Sequence, residues 1–364
     1  MNDAAWATGR GALRIGLVAP LFESVPPRLY GGTERVVSYL AEELVRLGHR
    51  VTLFATGDSV TTARLDAVWP RALRLDGRSH EHQIPHALHL EHVFRRAAEF
   101  DVIHFHTDHL HFGLARRCGV PHVTTLHGRL DLPDLAPLLR EFHDIPLVSI
   151  SDAQRRPLPW ANWQATVHHG LPAAMLPLQP QPGRYLAFLG RISPEKRCDR
   201  AIEIARRLGM PLRIAAKVDP ADQVYYEQTI RPLLADPLVD FVGEIGEHDK
   251  AAFLGGASAL LFPIEWPEPF GLVMIEAMSC GTPVVAFRQG SVPEIVDEGV
   301  SGYIVDSVDD ALPAVQAAAA LDRRACRARF EQRFTAARMA SAYLEVYRRL
   351  IARAADPLQE LSDV

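Results

Sequence analysis

A chain of 364 residues, 48% hydrophobic and 23% charged, can bury the cores of two ordinary globular domains. Its formal net charge of −5 excludes a general pull toward nucleic acid or an anionic membrane, so an anionic ligand must be met by local cations. Cys118, Cys198, Cys280 and Cys326 are far apart with no CxxC pair, which excludes a disulfide framework or a cysteine-rich zinc site and points to free thiols.

Residues 1–12 are small and polar and read as a flexible N-terminus without a signal peptide; no run approaches about eighteen apolar residues. The expected location is cytoplasmic. A peripheral membrane contact through an amphipathic helix stays open. Residues 14–20, 50–55, 101–105, 121–126 and 146–150 are short β-branched apolar runs, and a helical pattern covers 33–47. Strands separated by helix-length segments are the pattern of βαβ units around a parallel sheet. A proline-rich stretch over 171–183 then interrupts the alternation, since proline can neither continue a helix nor join a central strand. Further strands are predicted at 185–190, 212–216, 239–242, 259–263 and 282–287. The division that follows is a first domain over 13–172, a linker over 173–183, a second domain over 184–335 and a helical tail over 336–364. The helical stretch from Ala314 to Ala355 carries an apolar stripe, with Phe334, Met339, Ala342, Tyr343 and Tyr347, which must pack on something. Two doubly wound α/β domains facing one another would create a cleft at the carboxyl ends of both sheets, and the informative residues should lie just after strands.

The first such motif is Tyr30-Gly31-Gly32-Thr33-Glu34-Arg35. Paired glycines permit close backbone approach, and amides at a helix start attract phosphate; the plainer alternative is a loop with Thr33 as N-cap. The dinucleotide fingerprint G-x-G-x-x-G is absent here, which argues against a nicotinamide dehydrogenase. The second motif, Gly190-Arg191-Ile192-Ser193-Pro194-Glu195-Lys196-Arg197, sets cations beside a helix predicted to begin near Cys198. Cations there oppose the helix dipole, and a bound diphosphate would resolve the conflict; a solvated basic turn is the alternative.

The third motif weighs most: residues 265–277, Glu-Trp-Pro-Glu-Pro-Phe-Gly-Leu-Val-Met-Ile-Glu-Ala. Pro267 and Pro269 stiffen a loop that holds Glu268 after a strand, and Glu276 falls about a turn and a half into the next helix. Gly281 reads as a helix C-cap, and the Gly290-Ser291 turn is placed to present amides to a ligand. His104, His106, His109 and His111 cluster after a strand, but their spacing does not define a metal site. His127, at a strand end before Gly128, suits a hydrogen bond to a ligand hydroxyl or a structural one. No Asp-x-Asp occurs, so the carboxylate pair that would hold a divalent cation on a nucleotide diphosphate is missing. Arg191 and Lys196 are the available substitutes.

In this order, over residues 15–350, these motifs resemble the retaining glycosyltransferases of family 4, which have the GT-B architecture. The resemblance implies that Arg191 and Lys196 bind the donor diphosphate and stabilise the leaving phosphate. It implies that Gly190 to Lys196 form the phosphate loop, that Glu276 holds the nucleotide ribose, and that Glu268, with the backbone of Phe270, Gly271 and Leu272, contacts the donor sugar. Gly31 and Gly32 would approach the phosphates or the acceptor, His127 would contact a sugar hydroxyl, and the base would lie against Val242, Gly243 and Ile245. No cofactor or metal is expected, and the last helix is expected to cross back onto the first domain. The segments 30–37 and 149–155 resemble a bacterial subgroup often labelled as glucosyltransferases, which favours UDP-glucose over GDP-mannose or UDP-GlcNAc. The acceptor, a saccharide, a lipid or a small molecule, is not identified. A histidine at 169, where the family often shows asparagine before glycine, sets the acceptor contacts apart. The rivals are a nucleotide-sugar epimerase of the same fold and a non-catalytic nucleotide-sugar-binding module.

Overall fold

The computed structural model describes residues 11–29, 31–76, 81–181 and 183–356. Tyr30, Pro182, the end of the tail and most of the expected N-terminal segment lie outside them. Two compact units are formed, and each is interleaved in sequence with the other.

The first unit holds residues up to Ile150, then Arg155–His168, and takes the chain up again from Ala336. Its strands are β1 (Arg14–Val18), β2 (Arg50–Phe54), β3 (Arg64–Asp66), β4 (Val102–Phe105), β5 (His122–Thr125), β6 (Leu147–Ser149) and β7 (Trp163–Thr166). They form one sheet in the order β3-β2-β1-β4-β5-β6-β7, and every pairing is parallel. The apolar runs were legible because parallel strands are covered on both faces; β1 and β2 each bury four residues in succession.

The C-terminal helix Ala336–Ala355 belongs to this unit and packs on the helix Gly32–Arg46 and on β5. Its stripe buries Met339, Tyr343, Leu344, Val346 and Tyr347. Two of its hydroxyls reach into the sheet: Tyr347 Oη lies 2.7 Å from His104 Nδ1 and Tyr343 Oη 2.9 Å from Thr125 Oγ1. Phe334, expected in the same stripe, instead ends the preceding helix Arg323–Arg333 and packs in the second unit, 6.2 Å from Phe270 between ring centres.

The second unit comprises Ser151–Gln154 and His169–Thr335. Its strands are β8 (Tyr185–Ile192), β9 (Leu212–Val218), β10 (Val239–Gly243), β11 (Ala257–Phe262), β12 (Val284–Phe287) and β13 (Gly302–Val305). They run parallel in the order β10-β9-β8-β11-β12-β13. The strand order reverses between β8 and β11. In open α/β sheets the crevice beyond the carboxyl ends at such a switch point is the ligand-binding position.

Two expectations are corrected here. The first strand of this unit does not stop at 190: Gly190 pairs with Ala216 and Arg191 with Lys217, because β9 continues alongside. Gly190 and Arg191 therefore stand on a strand, not in a loop. The proline-rich stretch is likewise no free linker. Leu176 is buried and its carbonyl accepts from Ser279 Oγ (3.0 Å) and Arg327 Nη1 (2.7 Å), while the Gln179 carbonyl accepts from Arg323 Nε (2.6 Å). Captured carbonyls hold the segment on the second unit, and the chain passes between the units at 168–169. Arg323, 7% exposed, also donates to the Gly255 and Ala257 carbonyls and to Thr282 Oγ1, so one buried guanidinium closes the amino-end side of this sheet.

Candidate functional site

In the first unit, Gly31 is the N-cap of the helix Gly32–Arg46, and no side chain caps that helix. Thr33 therefore lies inside it. A Cβ at Gly31 would fall 2.7 Å from Pro27 Cβ, so packing within the protein already demands glycine there; Gly32 is exposed at the helix start. His127 follows β5 and is partly buried, with Nε2 2.8 Å from His106 Nδ1. Burial pushes its pKa down to about 3, so the ring is neutral at physiological pH.

Two other histidines of the cluster, His104 and His111, are structural, whereas His109 is exposed. His104 Nε2 lies 2.8 Å from Thr125 Oγ1, and His111 bridges Thr124 Oγ1 (2.7 Å) and Thr107 Oγ1 (3.1 Å). Both are fully buried and held well below the usual histidine range by desolvation. Among the described residues, no group of three or more His, Cys, Asp or Glu side chains could hold a metal ion.

The second unit brings most of the sequence-derived residues together beyond β8 and β11. After β8 the chain makes a single turn, Pro194–Lys196, and enters the helix Cys198–Leu208 through Arg197 at φ +52°, a left-handed conformation uncommon for a side-chain-bearing residue. The Arg197 side chain is held by Asp199 (Nη2 to Oδ2, 2.8 Å) and by Glu265. Glu265 also pairs with Arg200 at 2.7 Å. The conflict with the helix dipole that the sequence left for an anionic ligand is thus offset within the chain, by carboxylates.

The loop after β11 is tied to this turn by a backbone bond, Glu265 N to Glu195 O, 2.8 Å. Across the two loops Lys196 Nζ bonds to Glu268 Oε2. The indole of Trp266 covers the pair: its Nε1 donates to the same Oε2 at 3.0 Å, and its ring centre lies 4.8 Å from Lys196 Nζ. Glu268 is buried and the lysine side chain is 17% exposed. Arg191 is also engaged, with Glu195 at 2.5 Å, Asp219 at 3.5 Å and Asp222 at 3.6 Å. Burial pushes the Asp222 carboxyl up against the pull of Arg191. Neither cation stands alone.

The Glu268 loop is clamped from behind. Ser151 Oγ donates to the Pro269 carbonyl at 2.6 Å and Ser291 Oγ to that of Phe270 at 2.8 Å, both from fully buried serines. The Ser291 amide donates to the Glu268 carbonyl at 3.0 Å, so the Gly290-Ser291 turn braces the loop and does not offer that amide to a ligand. Gly290 has φ +52°, and a Cβ there would sit 2.3 Å from the Glu268 carbonyl oxygen.

Phe270 points into the core, 2% exposed and 4.9 Å from the His169 ring. Gly271 (φ +79°) starts the helix Leu272–Ser279, whose Leu272 is half-buried and whose Glu276 is 3% exposed. Glu276 Oε1 lies 2.6 Å from Nζ of Lys250, on the helix Glu247–Gly255. Val242 ends β10 with Gly243, at φ +76°, and both Val242 and Ile245 are half-buried. Lys250, Trp266 and Ser151 were not singled out from the sequence, and Ser291 was read only as part of a turn presenting amides. Trp266 lay in the quoted motif, whereas nothing in the spacing announces a partner 26 residues before Glu276.

Residues 30–169 match the model of Glycosyltransferase Family 4, and residues 177–335 match that of Glycosyl transferases group 1. The chain belongs to the family 4 glycosyltransferases. It is a transferase of the GT-B type, with two parallel-sheet Rossmann-like domains. The phosphatidyl-myo-inositol mannosyltransferase of Mycolicibacterium smegmatis is 28% identical over 82% of this chain and 82% of its own. A D-inositol 3-phosphate glycosyltransferase of Corynebacterium kroppenstedtii is 41% identical, but over 24% of this chain and only 19% of its own length. Among solved structures, AviGT4, a glycosyltransferase involved in avilamycin A biosynthesis, is 26% identical with a TM-score of 0.72, covering 93% of this chain and 98% of that one. Anabaena HepE, solved in complex with UDP and glucose, has the same fold, with a TM-score of 0.70 at 18% identity over 92% of this chain and 98% of that one. Among the described residues, no helix is long and apolar enough to cross a membrane.

Proposed function

We propose that this glycosyltransferase moves a hexosyl group from a nucleotide-diphosphate sugar to a saccharide, lipid or small-molecule acceptor, with retention and without a metal ion. The observation that carries the reading is the Lys196–Glu268 pair, which straddles the switch point between β8 and β11. A diphosphate arriving there exchanges with the carboxylate on Lys196, and Arg191 turns from Glu195 toward phosphate in the same way. Glu268, released from the ammonium but still bonded to Trp266, then accepts from a sugar hydroxyl. Charge developing on the leaving phosphate meets two fixed cations, which is how electrostatic preorganisation lowers a transfer barrier. We assign Glu276 to the ribose hydroxyls, the Val242–Ile245 turn to the base and the neutral His127 ring to a sugar hydroxyl.

UDP-glucose is the favoured donor, with GDP-mannose and UDP-GlcNAc as alternatives; the UDP complex of the HepE fold supports the uridine choice. A thermal-shift screen of nucleotide sugars tests the donor, because a ligand that binds only the native state raises the melting temperature. A rise with UDP-glucose supports the reading, and no shift with either UDP or GDP overturns it. Transfer that persists in EDTA supports metal independence; a strict need for manganese or magnesium overturns that part. Incubation with donor alone separates the rivals, since an epimerase returns an altered nucleotide sugar and a binding module returns none.

A further inference from the structure

We infer that Lys250 is a positioning residue for Glu276, orienting its carboxylate toward the ribose hydroxyls of the donor; this rests on the donor reading above. The two side chains come from neighbouring helices, Glu247–Gly255 and Leu272–Ser279, which pack together. Lys250 Nζ lies 2.6 Å from Glu276 Oε1 and 3.7 Å from Glu247 Oε2, one turn back on its own helix. The lysine side chain is 13% exposed and the glutamate 4%. Among the described residues, the bond from Lys250 is the one the Glu276 carboxylate receives.

A carboxylate withdrawn from water needs its charge compensated and its rotation fixed, and one ammonium holding one oxygen does both. The second oxygen then keeps a set direction. A ribose offers hydroxyls in fixed geometry, so an acceptor that is preoriented binds them without the entropic cost of ordering a free side chain. Lys250 also places one carboxylate of each helix, Glu247 and Glu276, about a single ammonium. That links the helix after β10, where we place the base, to the helix after β11, where we place the ribose.

A pair that serves only as a staple between helices would alter stability and leave ligand discrimination untouched. The readout is therefore a ratio: the affinity for UDP over that for 2′-deoxy-UDP, by calorimetry, repeated with GDP and 2′-deoxy-GDP. The wild type is expected to prefer the ribonucleotide by about tenfold, the discrimination typical of a lost hydrogen bond to a charged acceptor. Lys250→Met is expected to collapse that ratio to within about twofold of unity while its affinity for 2′-deoxy-UDP stays close to that of the wild type, and Lys250→Arg is expected to restore part of it. A folded Lys250→Met that keeps the wild-type ratio overturns the proposal, as does a wild type that binds UDP with no such preference. Should Lys250→Met not fold, Lys250→Gln decides, because its uncharged amide ends one bond short of the ammonium that reaches Glu276: a ratio within about twofold of the wild-type value overturns the proposal. Failure of the wild type to bind either diphosphate overturns the donor reading itself.

Discussion

The two units share a topology and solve the same burial problem with different chemistry. Beyond the carboxyl ends of its strands, the second unit carries compensated charges: Lys196 with Glu268, Lys250 with Glu276, Arg197 with Asp199 and Glu265. The first unit carries histidine rings and hydroxyls toward that end, with His104, His106, His111 and His127 bonded to one another, to threonines or to Tyr347, and burial keeps His104, His111 and His127 neutral. A buried ion pair is poised to trade one partner for a charged ligand. A neutral histidine network fixes shape and offers hydrogen bonds without attracting anions. The difference teaches that a fold repeated within one chain need not repeat its site.

Acid should separate the units most sharply. His89 is held at about 4 and His127 at about 3, both by burial, and His104 and His111 are lowered for the same reason. An unfolded histidine titrates near 6.5, so its stabilising neutrality is fully present above that pH and is lost as the pH falls toward the folded value. At pH 5 each ring buried away from water costs up to about 2 kcal/mol. Hydrogen exchange at pH 7 and pH 5 should show the first unit loosening before the second, whose Asp199, Asp219 and Glu265, held below the carboxylate range, keep their charge at that pH. Earlier opening of the second unit would break the comparison.

Next in size is Arg323→Met. It strands four acceptors that share one guanidinium and should cost about 3–5 kcal/mol by urea unfolding, confined to the second unit. Lys196→Ala should abolish transfer and weaken diphosphate binding by about 1.5–3 kcal/mol, read by calorimetry. Unchanged turnover by that variant would remove the phosphate role. Smallest is Tyr347→Phe, which leaves His104 Nδ1 without its hydroxyl and should destabilise the first unit by about 1 kcal/mol in thermal melts. No loss would make that bond incidental.

What the sequence disclosed follows the same divide. The strands were readable because both faces of a parallel sheet are covered, and Glu268 and Lys196 because prolines and glycines mark loops after strands. The end of β8 was misplaced because Gly190 and Arg191 look like a turn until β9 is seen beside them. The linker was misread because proline content reports local stiffness, whereas its docking depends on Arg323 and Arg327, more than 140 residues away. Lys250 and Ser151 escaped for that reason too, as did the bracing role of Ser291: each acts on a loop or helix remote in sequence, and no spacing rule reaches across a fold.

The passage of the chain at 168–169 and again at 335–336 has a practical corollary for anyone dissecting the enzyme. A single cut cannot liberate the amino-terminal half, because a fragment ending at residue 168 lacks the tyrosines that close its sheet. An independent piece would have to be stitched, with residue 168 spliced through a short tether to residue 336, and deleting the last twenty-odd residues should injure the half of the molecule farthest away in sequence.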